Sequence, residues 1–138
     1  MDRDQRFEAI GRARPGELTS LANAVLAKVE IMLVRAPRTG MLMLQALDSV
    51  EGIRFNAGEV LVTEALVAIG PHQGYAMVQG MDRECALAGA ILDAAVEADH
   101  PETPRILALL EQLEARARAG RLDAWAQVSP TRVVFDEM

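Results

Sequence analysis

The sequence predicts an α+β fold: an antiparallel meander sheet of about five strands, with N-terminal helices and two C-terminal helices packed on it. Three observations lead there. Both ends carry apolar residues at the 3.6-residue helical period, whereas the middle consists of short apolar runs separated by Pro/Gly turns with no helix between them. The chain has 138 residues, of which 51% are hydrophobic and 25% charged, enough for one core of ordinary size. No linker, repeat or low-complexity stretch divides it, so residues 1–138 are expected to form a single domain.

The elements follow in order. Asp4 to Gly11 reads as a short helix, ended before Pro15-Gly16. Leu18, Leu21, Ala22, Val25, Leu26 and Val29 then form one stripe of a second helix. From Glu30 the period changes. Glu30–Arg35 and Met41–Leu47 read as two strands joined by the loop Ala36-Pro37-Arg38-Thr39-Gly40. After a turn at Asp48–Gly52, Ile53–Asn56 alternates like a half-buried strand, and Gly58 marks a bend or bulge before a long strand from Glu59 to Ile69. The turn Gly70–Gly74 leads into a fifth strand at Tyr75–Val78.

Helix returns at Arg83–Ala98, with Asp82 placed to cap its first turn. A last helix starts at Thr103-Pro104, buries Ile106, Leu109, Leu110 and Leu113, and is expected to stop at Gly120. Arg132–Phe135 is either an edge strand or a tail that docks on a partner.

Composition removes several functions. Fourteen basic against twenty acidic residues leave a net charge of −6, which disfavours holding a phosphate backbone by bulk charge and so argues against nucleic acid as a partner. A single cysteine, Cys85, and two histidines, His72 and His100, are too few for a disulfide framework, a Cys-rich zinc module or a multi-histidine metal site. The charged start is unlike a signal peptide, and Val60–Ile69 is too short and too interrupted to cross a bilayer, which takes about 20 residues. A soluble, cytoplasmic chain is expected.

Candidate chemistry is sparse. There is no phosphate loop, nucleophile elbow, H-E-x-x-H or C-x-x-C, and the only lysine is Lys28. Glu59 and Glu64 are an odd number of residues apart, which sends them to opposite faces of a regular strand, so one solvated and one capped or paired carboxylate is the favoured reading. His72 and His100 both read as ordinary exposed turn histidines. Cys85, in the first turn of a helix, is either a thiolate favoured by the helix end or a small buried apolar residue, and burial is the commoner outcome. Arg35, Arg38 and Arg54 near the first hairpin suit either an anion or a partner's acidic residues. Met41–Leu47 is apolar on both faces, so one face wants a second layer such as a partner chain. No catalytic residue and no metal ligand emerges.

An ordered set of segments carries a resemblance. Val34-Arg35-Ala36-Pro37-Arg38-Thr39-Gly40-Met41-Leu42-Met43-Leu44-Gln45-Ala46 is followed by Arg54-Phe55-Asn56-Ala57-Gly58-Glu59-Val60-Leu61-Val62-Thr63-Glu64-Ala65. Gly74–Asp82, Ile91-Leu92-Asp93-Ala94-Ala95 and Thr131–Phe135 complete it. Together these resemble the PhnG family, a component of the phosphonate carbon–phosphorus lyase system. Where the family tends to read Gly-Arg-Asp, this chain has Gly80-Met81-Asp82, so Arg83 would have to replace that arginine.

The resemblance implies an accessory subunit that acts with the H, I and L subunits of that system to transfer the ribose triphosphate of ATP to an alkylphosphonate, with adenine displaced. The I subunit is its chief partner, and the J and K subunits join the larger assembly. ATP would be a co-substrate of the complex, and the iron–sulfur cluster and S-adenosylmethionine would sit on another subunit, with no cofactor on this chain. Arg35, Thr39, Thr63, Glu64, Asp82 and Arg83 are the residues it marks for substrate or partner contacts. The alternative is a stand-alone domain that binds a small anion or phosphonate without catalysis; an independent enzyme built on Cys85 ranks last.

Overall fold

The computed structural model describes residues 1–47, 50, 52–123 and 132–137. Helix α1 (Arg3–Gly11) opens on a capping box: an Asp2 carboxylate oxygen accepts the Gln5 N–H at 2.8 Å, and the Gln5 side chain accepts the Asp2 N–H at 2.8 Å. Helix α2 (Thr19–Leu26) is shorter than its apolar stripe, but Val29 still packs against the core.

The middle of the chain corrects the sequence expectation. The five expected strands are three: β1 (Met32–Leu47), β2 (Arg54–Ile69) and β3 (His72–Gln79). They form an antiparallel meander, and β4 (Arg132–Glu137) adds to the outer edge of β1, giving the order β3-β2-β1-β4. The expected loop at Ala36–Gly40 is instead strand. Register shifts between Leu33 and Arg35, and between Arg35 and Arg38, absorb extra residues, so Pro37, which has no N–H to give, sits at an irregularity rather than in the regular ladder.

A third shift opposite Leu44–Gln45 falls beside Gly58, where a bulge was expected, yet β2 runs through it unbroken. Of the turn expected at Asp48–Gly52, positions 48, 49 and 51 lie outside the described residues.

Helix α3 (Arg83–Glu97) lies against β2 and β3, and α1, α2 and α4 (Thr103–Asp123) pack around it. Ten of its fifteen residues are buried, which is why it is alanine-rich all round instead of striped on one face. Its approach to the sheet is close. A Cβ on Gly74 would lie 2.2 Å from the Ala90 carbonyl oxygen and 2.2 Å from the Ala94 nitrogen, so only glycine fits there.

The core joins Ala65, Val67, Ala76 and Val78 of the sheet to Ile91, Leu92, Ile106 and Leu110 of the helices. Contrary to the expected stop, α4 continues through Gly120 to Asp123, which moves its end three residues along the chain. No described helix is long and apolar enough to cross a membrane.

Candidate functional site

The irregularity in β1 builds the candidate site. Residues 35 and 38 are three apart, a spacing that sends side chains to opposite faces of a regular strand. The extra residue between them instead sets Arg35 opposite Leu66 and Arg38 opposite Glu64, and both guanidiniums reach the same carboxylate. Arg35 Nη1 donates to Glu64 Oε1 at 3.1 Å, and Arg38 Nε donates to the same oxygen at 2.6 Å. The Tyr75 hydroxyl, from β3, donates to Glu64 Oε2. One carboxylate thus ties three strands together.

Burial by itself would raise the Glu64 pKa, but the bonds from Tyr75 and Arg38 and the charges of Arg38 and Arg35 outweigh it and hold the group below the usual carboxylate range. Burial pushes the Tyr75 phenol up, and its bond to the anionic Glu64 pushes it further the same way. Near neutral pH the carboxylate stays charged and the phenol stays protonated. The Tyr75 ring stacks on Phe7 of α1, with ring centroids 6.0 Å apart.

Tyr75 also belongs to a second cluster. Its backbone N–H donates to Asp93 Oδ2 at 3.0 Å, and Arg6 Nε donates to Asp93 Oδ1 at 3.0 Å. Arg6 also pairs with Glu97, and Arg3 Nη2 lies 3.6 Å from Asp93 Oδ2. This network fastens α1, β3 and α3 to one another.

The six residues marked in the sequence divide into four places. Arg35 and Glu64 meet in the first cluster. Thr39 and Thr63 pair across β1 and β2, with hydroxyls 3.4 Å apart, and the fully buried Thr63 also donates to the Gly80 carbonyl at 2.7 Å. Asp82 caps α3 as expected, accepting the Cys85 N–H at 3.0 Å. Arg83 is exposed, and it lines a shallow cavity of about 330 Å³ with Pro37, Arg38, Thr39, Leu61 and Met81. These groups therefore do not converge on one centre.

Other expectations separate cleanly. Glu59 is exposed and Glu64 is buried and paired, as the odd spacing suggested. Cys85 is buried, and burial followed by the neighbouring Asp82 charge raises its thiol to about 11, which removes the reactive thiolate. His72 is exposed. His100 is not. Asp99 adopts φ 54°, the chain folds back so that the His100 N–H reaches the Ala95 carbonyl at 2.9 Å, and the buried ring accepts the Glu102 N–H on Nδ1 at 3.0 Å. Among the described residues no group of three or more His, Cys, Asp or Glu is placed to hold a metal ion.

Sequence reasoning missed Tyr75 and the Arg6–Asp93–Glu97 network as parts of a site. Two signals were present: Tyr75 is the sole tyrosine, and Asp93 is the one charged residue in the run Cys85–Val96. Such an acid needs a partner when its helix is buried on nearly all sides.

These features define an α+β protein organised around ion pairs that link strands and helices. The family described as phosphonate metabolism protein PhnG matches residues 1–138. The chain is also similar to the alpha-D-ribose 1-methylphosphonate 5-triphosphate synthase subunit PhnG of Rhizobium meliloti (strain 1021), at 33% identity over 138 residues, covering 99% of this chain and 87% of that protein. The chain belongs to the PhnG family of phosphonate metabolism proteins.

Proposed function

We propose that this chain, as one PhnG-like domain, is an accessory subunit of a phosphonate-activating enzyme. In this reading it acts with the H, I and L subunits of the carbon–phosphorus lyase system to place the ribose triphosphate of ATP on an alkylphosphonate while adenine leaves, with the J and K subunits in the larger assembly. The iron–sulfur cluster and S-adenosylmethionine of the later bond-breaking step would belong to another subunit. ATP as co-substrate puts the assembly in the cytoplasm. The relative's own name, a synthase subunit, supports the reading.

The observation that carries it is the match to the PhnG family over residues 1–138, and the state of the chain's polar groups agrees with it. General acid–base work needs a group whose pKa lies near the working pH. Glu64 is held low, Tyr75 is held high and the Cys85 thiol stands at about 11, so each is locked in one protonation state. Glu64 and Tyr75 held in this way tie β1, β2 and β3 together, and Cys85 is packed in the core. Arg35, Thr39, Thr63, Glu64 and Asp82 would then shape the surface presented to the assembly, and the exposed Arg83 would meet a partner or the substrate's charge directly.

The test is omission. The purified H, I and L subunits are mixed with this chain, ATP and methylphosphonate, and adenine release is followed. The expected result is release by the full mixture and none by this chain alone. Unaided turnover by this chain, or an undiminished rate in the mixture lacking it, would overturn the reading.

A further inference from the structure

We propose that the first part of β1, Met32 to Arg38, is a docking surface for a segment of a different chain, one that lays apolar side chains on Met32, Leu33 and Val34 and brings a carboxylate to Arg35. The starting point is exposure: Met32 is 68%, Leu33 51% and Val34 45% accessible. Met32 and Leu33 are consecutive in the regular ladder and point to opposite faces, so among the described residues their exposure leaves both faces of the sheet open at this corner, with the extra residue Val34 beside them. The edge is open as well among the described residues: β4 pairs with β1 from Gly40 to Gln45, and no described strand pairs with the outer edge from Met32 to Thr39.

Charge selects the occupant. From Ile31 to Leu47 the chain carries Arg35 and Arg38 and no acid, although the whole chain has 20 acidic against 14 basic residues. A second copy would bring a molecule of net charge −6 against its like and set arginine beside arginine along the shared edge. A different chain that offers apolar side chains and a carboxylate meets complementary chemistry at every position. The Arg35 side chain is 44% accessible even while bonded to Glu64, which leaves it within reach of an incoming acid. Pro37 and the two irregularities keep an added strand from running the length of the edge, so side chains carry the contact.

The inference rests on the accessory role proposed above for the identity of the partner, and the I subunit is the probe. Its affinity for the full chain is measured by calorimetry for the unsubstituted protein, for Leu33→Glu and Val34→Glu, and for Ile53→Glu, a comparably exposed residue beside the opposite end of the β1–β2 pair. Melting temperatures check that each variant folds. The first two substitutions are expected to weaken binding at least about tenfold, as a charge does in a closed apolar contact, with Ile53→Glu neutral. If the I subunit binds the Leu33 and Val34 variants as tightly as the parent, the docking surface is overturned and the accessory role stands. A dimer of this chain that those two substitutions disperse would assign the edge to a second copy and also overturn it. Should the parent chain not bind the I subunit, the accessory role falls and the docking surface falls with it.

Discussion

Two carboxylates in this molecule have the same kind of surroundings and different consequences. Asp93 and Glu64 are both almost fully buried, each lies beside two arginines, and each takes a hydrogen bond from Tyr75, Asp93 from its backbone N–H and Glu64 from its hydroxyl. They differ in whether any arginine is sealed. Asp93 has the 6% accessible Arg6 beside the 54% accessible Arg3, whereas both arginines of Glu64, Arg35 and Arg38, reach the surface at 44% and 38%. A pair sealed on both sides is obligatory structure, because removing one partner strands the other charge away from water. A pair with its cations at the surface costs less to break and leaves those cations within reach of other molecules. The Asp93 cluster reads as a fastener and the Glu64 cluster as a strut with a working outer face.

The comparison is broken most directly at Asp93. Asp93→Ala leaves Arg6 without its buried partner and is expected to cost about 3–5 kcal/mol in urea unfolding. Glu64→Gln, measured in the same way, is expected to cost less, about 1–3 kcal/mol, because Arg35 and Arg38 can turn to solvent. Equal losses would mean that arginine exposure does not decide the cost. Tyr75→Phe sharpens the contrast further: it deletes the hydroxyl that serves Glu64 and keeps the N–H that serves Asp93. Its expected cost is about 1 kcal/mol. A much larger loss would show that the two clusters act as one network through this residue.

Acid provides a finer probe of the arginine-paired glutamates Glu64 and Glu17. Glu64 is held below its ordinary pKa, so its contribution to stability is present above the unfolded-state value near 4.5 and is lost as the pH falls through the folded one. Glu17 behaves alike at the surface. The bidentate bond from Arg116, at 2.7 and 2.9 Å, lowers its pKa to about 2, so its contribution fades between about pH 4.5 and 2. Because the pair is solvated, Glu17→Gln is expected to cost under about 1 kcal/mol at neutral pH. The variant should also lose stability less steeply than the parent between about pH 4.5 and 3, as followed by thermal melts. A parallel loss in the two proteins would remove Glu17 from the acid response.

Legibility followed the range of the interactions. The α3 cap at Asp82, the stripe through Ile106, Leu110 and Leu113, and the separation of Glu59 from Glu64 all depend on residues a few positions apart, and they could be read directly. The loop expected at Ala36–Gly40 failed because Pro and Gly are turn signals only until a neighbouring strand accommodates them. Paired with β2, the same residues became bulged strand, and the five expected strands became three with β4 beside them. His100 failed for a related reason: its burial follows from the left-handed turn at Asp99, which carries the ring back against the end of α3. Of the candidate site, Arg35 and Glu64 were both in view, but their meeting at Tyr75 was not.

What the sequence alone determined is the set of helices, the acidic and apolar balance, and the presence of arginines on an otherwise acid-free strand. A helix closes its hydrogen bonds within four residues, so its evidence is local. What only the tertiary structure decided is which segments count as one strand, which carboxylate each arginine holds, and which apolar residues of β1 stay uncovered. Those outcomes depend on partners tens of residues away along the chain, and a strand has no bonds to make until its neighbour is in place.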